Sequence, residues 1–141
     1  MAFTIKNPPE FTMEIPQWDR DTLGDGTEMT KVPEALLNNE VYLKAFAERL
    51  EHVTPVTLPA SGWTGSAAPF TQTVAVSGAA EGMEPMVVSA LRLGAPAAEQ
   101  KAYIKAYGIL CSGTAELGDG TATFKVYKKP ASDITVGLKG V

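Results

Sequence analysis

Val32, Leu36, Asn39, Leu43, Phe46, Leu50 and Val53 are separated by alternating steps of four and three residues. Six of the seven are apolar, and the spacing predicts a helix over 32–53 with a heptad seam along one side. From Thr54 the period falls to two. TPVTLP reads as a short strand between prolines, and SGWTGSAAPF as a turn-rich loop around Trp63. Phe70 to Gly78 alternates Phe70, Gln72, Val74 and Val76 with Thr71, Thr73, Ala75 and Ser77, as a strand with one buried face does.

The remaining pattern continues in the same style. MVVSALRL is a strand candidate, Ala95 to Gly108 reads as a short helix closed by glycine, and ILCSGTAEL and TATFKVY read as strands joined at GDG. ITVGLKG supplies the last strand, with Ile134, Val136 and Leu138 on one side. Five or six strands with one crossing helix predict a mainly β fold, a small β-sandwich over 54–141.

Residues 1–31 lack a regular period. Pro8, Pro9 and Pro16 interrupt any helix or ladder, and DTLGDGTEM carries turn residues. Phe3, Ile5, Phe11, Met13, Ile15 and Trp18 suggest an irregular N-terminal arm with one or two short strands, or an extended segment laid on a surface. Pro33 fits the first turn of the following helix, where its missing N–H needs no partner.

An isolated helix of about 20 residues is weak in water unless its apolar stripe is buried. The stripe can pack on the chain's own body or on the same helix in other copies. A polar Asn39 at an inner position can fix register, and the wide Phe46 suits a three-stranded seam. The expectation is a coiled-coil-like oligomerisation helix in a homotrimer.

Composition narrows the function class. Of 141 residues 45% are hydrophobic and 20% charged, enough for a core and too little charge for a disordered chain. The net charge of −4, with no run of Lys or Arg, speaks against a nucleic-acid partner. No stretch reaches the roughly 18–20 apolar residues of a membrane span, and the N-terminus lacks the pattern of a secretory signal. Cys111 stands alone and is expected as a small buried hydrophobe within a strand. His52, the single histidine, falls at a helix end.

No metal, phosphate-loop or nucleophile motif is present, so neither catalytic residues nor cofactors are assigned. Asp19, Asp21, Asp25, Glu28, Asp119 and Asp133 all fall in turn-like or arm segments, where solvated turn carboxylates are expected. Among the aromatics, Trp63 suits a core end. Lys125 and Tyr127, opposite the inferred core face, are the exposed candidates for surface contact.

VTLPASGWTGSAAPFTQTVAVSGA and TATFKVYKKPASDITVGL together resemble the opening and closing phrases of small tail-fibre and baseplate-associated proteins of phages and prophages of Gram-positive bacteria. The resemblance covers about Val56 to Val141. It implies a trimeric or otherwise symmetric tail component, assembled in the host cytoplasm and carried in the virion, with other tail proteins as partners. It carries over no catalytic residue. Leu58, Pro59, Gly62, Trp63, Gly65, Pro69, Gln72, Phe124, Pro130, Asp133 and Ile134 match the motif and imply architectural roles.

Three functional readings follow. One is a module for attachment to the host surface, by polyvalent contacts with cell-surface polysaccharide. The second is a connector whose arm docks on neighbouring tail proteins. The third is a glycan hydrolase with carboxylates brought together between subunits.

Overall fold

The computed structural model describes residues 3–22 and 24–141. The chain divides into two compact units, Met1–Glu48 and Arg49–Val141. It is mixed rather than mainly β: two helices accompany two three-stranded antiparallel sheets.

Helix α1 (Gly26–Glu51), whose last three residues fall in the second unit, begins six residues earlier than the heptad spacing predicts. Asp25 is the reason. Its Oδ1 accepts the N–H groups of Thr27 and Glu28 at 2.8 and 2.9 Å, satisfying two donors that a helix start leaves unpaired. Pro33 therefore lies inside the helix, beyond the first turn. An interior proline costs about 3 kcal/mol, more than one cap returns.

The arm forms no strand among its described residues and doubles back beside α1, so that Lys6 and Thr12 meet the adjacent residues Asn38 and Asn39. Thr4 N–H donates to Glu34 Oε1 at 2.6 Å, and Lys6 N–H to Asn38 Oδ1 at 2.8 Å. Asn38 Nδ2 donates back to Thr4 O at 3.0 Å. One side-chain amide thus brackets the arm as a neighbouring strand would. Asn38 is buried, and the rings of Phe11 and Tyr42 meet at 5.6 Å.

In the second unit β1 (Val53–Leu58), β6 (Ile134–Lys139) and β3 (Met86–Ser89) form one sheet in that order. The other runs β2 (Phe70–Ala75), β5 (Thr121–Val126) and β4 (Thr114–Gly118). Both central strands alternate as their sequence requires, burying Ile134, Val136 and Leu138 in one and Ala122, Phe124 and Val126 in the other. These side chains, with Val56, Leu58 and Trp63, belong to one core shared by the two sheets. Val53, expected in the helical seam, instead opens β1 opposite Lys139.

Helix α2 (Ala97–Cys111) extends past Gly108 because Ala106 and Leu110, one turn apart, both enter the core. Ser112 closes it, its Oγ donating to Gly108 O at 2.7 Å. Cys111 consequently ends a helix and is exposed, not buried in a strand. Gly113 passes so close to β5 that a Cβ would collide with the carbonyl of Lys125.

Candidate functional site

Two surfaces stand out, one on each unit. On α1 the predicted seam residues Leu36, Leu43, Phe46 and Leu50 are 42–54% exposed, and Val32 is partly buried. Successive helix residues turn about 100°, so Asn38 stands roughly opposite Leu36. The arm is tied to that far side by Asn38 and reaches the edge of the stripe at Asn39, while Leu36 and Leu43 stay more than half exposed. Asn39 departs from its expected part in the seam. Its amide is turned to the arm, accepting Thr12 N–H at 2.7 Å and donating to Thr12 O at 2.8 Å.

On the second unit α2 is fixed by its tyrosines. Tyr107 Oη donates to Val87 O at 3.1 Å, and Tyr103 Oη donates to Thr135 O at 3.0 Å while accepting Ala90 N–H at 2.9 Å. The two rings stack at 5.6 Å. Burial, with the Cys111 thiol beside it, holds the Tyr107 phenol above its ordinary range. Locked in this way, α2 presents Lys101 and Lys105, one turn apart, beside the 127–133 connection that carries Lys128 and Lys129.

These four lysines line a groove of about 410 Å³ whose floor is Ala98, Ala102, Ala106 and Ile109. No carboxylate lines it. Lys128 and Lys105 also border an adjoining hollow of about 450 Å³, which includes Tyr127, 76% exposed. Of the two predicted surface residues, Tyr127 therefore borders the lysine cluster. Lys125, also exposed, is spent on a loose ion pair with Glu116 at 3.9 Å.

The 127–133 connection is clamped at both ends. Lys129 Nζ donates to Trp63 O at 3.2 Å and sits 4.7 Å from the centre of the Phe70 ring. Asp133 Oδ1 accepts Ala60 N–H at 2.8 Å, and Pro130 between them is buried. Buried Gln72 lies against Gly62, where a Cβ would strike its amide. Motif residues Gly62, Trp63, Gln72, Pro130 and Asp133 thus hold this end of the unit together. The cation cluster escaped the sequence because its halves lie more than twenty residues apart. The signals were the four-residue spacing of Lys101 and Lys105 and the Lys128–Lys129 doublet.

The chain matches no protein-family model, no curated protein and no solved structure. Function rests on geometry and on the sequence motifs.

Four of the six turn and arm carboxylates have visible local work. Asp25 caps α1, Asp19 accepts the Thr22 hydroxyl at 2.9 Å, Glu28 pairs with Lys31 at 2.6 Å, and Asp133 anchors Ala60. The hydroxyl of Thr22 and the N–H of Asp21 hold the Asp19 carboxyl below its usual range. A further cavity of about 440 Å³ contains Arg92, Glu99 and Asp133. Its Arg92 and Glu99 pair at 2.9 Å, which lowers the Glu99 carboxyl and leaves that pair self-satisfied. Among the described residues no cluster of three or more His, Cys, Asp or Glu could hold a metal, and no helix is long and apolar enough to cross a membrane.

Proposed function

We propose that the chain is a non-enzymatic structural module of a phage tail fibre or baseplate, assembled as a homotrimer through α1, whose β-rich unit takes part in attachment to the bacterial surface. The observation that carries this reading is the face of α1 that the arm leaves open. An arm bearing Phe3, Ile5 and Phe11 is tied to the polar side of the helix by Asn38, while Leu36 and Leu43 remain more than half exposed. An apolar stripe left uncovered by a neighbouring segment is suited to a partner helix. Three copies then multiply whatever affinity each body has for host polysaccharide.

In this reading the two sheets, which share one core, pack as a small sandwich. The motif residues act as its frame, in keeping with the sequence resemblance to tail components. Assembly takes place in the host cytoplasm, and the mature protein resides in the virion beside other tail proteins. A connector that docks its neighbours by the arm fits less well, because Asn38, Asn39 and Glu34 already occupy the arm's backbone groups.

Light scattering on the intact chain tests the assembly, with three chains per particle expected. Binding of that particle to host cells and their wall polysaccharides tests attachment. A monomer removes the trimer. A trimer that ignores host cells and co-purifies with another tail protein favours the connector, and release of reducing sugars from host polysaccharide favours a hydrolase.

A further inference from the structure

Five aspartates are spread along the chain, and only Asp25 and Asp119 precede a glycine. Asp19, Asp21 and Asp133 precede Arg20, Thr22 and Ile134, whose side chains shield their own backbone nitrogens. No asparagine precedes glycine. An aspartyl–glycine bond carries a reaction of its own, because a glycine nitrogen has no Cβ beside it and can reach the preceding carboxyl carbon. The two such bonds of this chain are held very differently.

Asp119 and Gly120 join β4 to β5. Gly120 N–H donates to Ala79 O at 2.9 Å, and Gly120 O accepts Val76 N–H at 2.9 Å. With both backbone groups engaged, that nitrogen is not free to turn on Asp119. Asp25 and Gly26 are both exposed, and the Gly26 N–H has no partner among the described residues. A Cβ at Gly26 would meet nothing within 4 Å. The Asp25 side chain is also curled toward the reaction. The ring of atoms closed by its Oδ1 on Thr27 N–H at 2.8 Å contains the Gly26 nitrogen.

We infer that Asp25–Gly26 is a site of spontaneous isoaspartate formation, and that the conversion moves the start of α1 from Gly26 to Pro33. The Gly26 nitrogen attacks Cγ of the protonated Asp25 carboxyl, its proton and the carboxyl hydroxyl leave as one water, and a succinimide ring closes. Water then adds at the former main-chain carbonyl of residue 25, the bond from that carbon to nitrogen breaks, and the nitrogen regains its proton. The chain now runs through Cβ and Cγ, the old main-chain carbonyl is a free carboxylate, and the mass is unchanged. No enzyme, oxidant or cofactor is needed.

The consequence follows from what Asp25 holds. Its Oδ1 accepts two open donors of the helix start, and its carbonyl accepts Met29 N–H at 3.0 Å. An extra backbone carbon takes all three acceptors out of position. The side-chain bonds of residues 26–32, Thr30 Oγ1 to Thr27 O at 2.9 Å and Lys31 to Glu28 at 2.6 Å, lie within the segment and tie it to nothing else. Pro33, a poor interior residue, is a good first-turn one. A helix beginning there keeps the arm, whose bonds fall on Glu34, Asn38 and Asn39, and keeps the apolar stripe from Leu36 onward.

The full chain, kept at body temperature in mildly acidic buffer for several weeks in water labelled with heavy oxygen, tests the inference. Peptide mapping is expected to find labelled isoaspartate at residue 25, formed several times faster than at residue 119. In the separated isoaspartyl fraction, amide exchange at residues 29–32 is expected to accelerate strongly while Lys6 and Thr12 stay slow. Gly26→Ala, which leaves the Asp25 carboxyl in place, is expected to suppress the conversion and keep slow exchange. Asp25→Ala, which cannot convert, is expected to show the fast exchange from the outset. Conversion at residue 119 as fast as at 25, or none at 25, overturns the modification site. Unchanged exchange at 29–32 in the isoaspartyl fraction overturns the shortening of α1. Neither result bears on the trimer or on attachment.

Discussion

Asn39 holds both backbone polar groups of Thr12, accepting its N–H at 2.7 Å and donating to its C=O at 2.8 Å. The side-chain amide copies a backbone rung, so a segment with several prolines is ordered beside a helix without becoming a strand. Asn39→Ala removes both bonds and is expected to cost about 1–2 kcal/mol of arm docking. Hydrogen exchange at Thr12 should accelerate strongly and at Lys6, held by Asn38, much less. Equal acceleration at both would mean that the arm docks as one cooperative piece.

Tyr103 acts on the sheet in a related way. Its hydroxyl stands between Ala90 N–H and Thr135 C=O, just past the last paired rung at Ser89 and Val136. Tyr103→Phe leaves a donor and an acceptor without their partner and is expected to lower stability by about 1–3 kcal/mol in urea unfolding. An unchanged midpoint would show that water replaces the hydroxyl at no cost.

Gly137 sits at the centre of β6, where a Cβ would collide with methyl groups of Val53 and Val88. Gly137→Ala is expected to cost about 1–3 kcal/mol through overpacking. Trimming the neighbour in the double variant Gly137→Ala, Val88→Ala should recover part of that loss. A double variant as damaged as the sum of the two singles would point to backbone strain in place of crowding.

The Tyr107 phenol has its pKa raised above 10.0 by burial and by Cys111, and it donates to Val87 O only while protonated. The folded state therefore keeps its proton longer than the unfolded chain. Stability from this group is complete below about pH 10 and is lost as pH rises through the folded value. Urea midpoints measured from pH 9 to 11 should fall, and more shallowly in Tyr107→Phe.

Leu43→Asp places a charge in the open stripe of α1. It is expected to convert a three-chain particle to single chains in light scattering while the melting of the β-rich unit is unchanged. A wild-type particle that is already monomeric would remove the basis of this test.

Strand positions in the second unit were legible because a period of two is imposed directly by burial of one face, as at Phe124 and Val126 or Ile134 and Val136. Helix limits were less so. The start of α1 was hidden because Pro33 is a plausible first-turn residue and the Asp25 cap lies within a turn-rich run. The end of α2 was hidden because Gly108 imitates a stop, whereas Ala106 and Leu110 carry the helix onward into the core. The role of Asn39 depends on a partner 27 residues away, a relation that no local period encodes. The lysine groove is of the same kind, a product of tertiary approach between α2 and the 127–133 connection.

The clamps at Lys129 and Asp133 reach Trp63 and Ala60 from the two ends of a short span. Since the anchoring is done at the ends, Ala131 and Ser132 lie inside a fixed frame that does not depend on their identity. Lys128, just outside it, projects from the same anchored backbone. Substitutions at these three places can alter the chemistry of the surface without disturbing the scaffold. The span is a natural cassette for library design, in which side chains are varied while the fold is left alone.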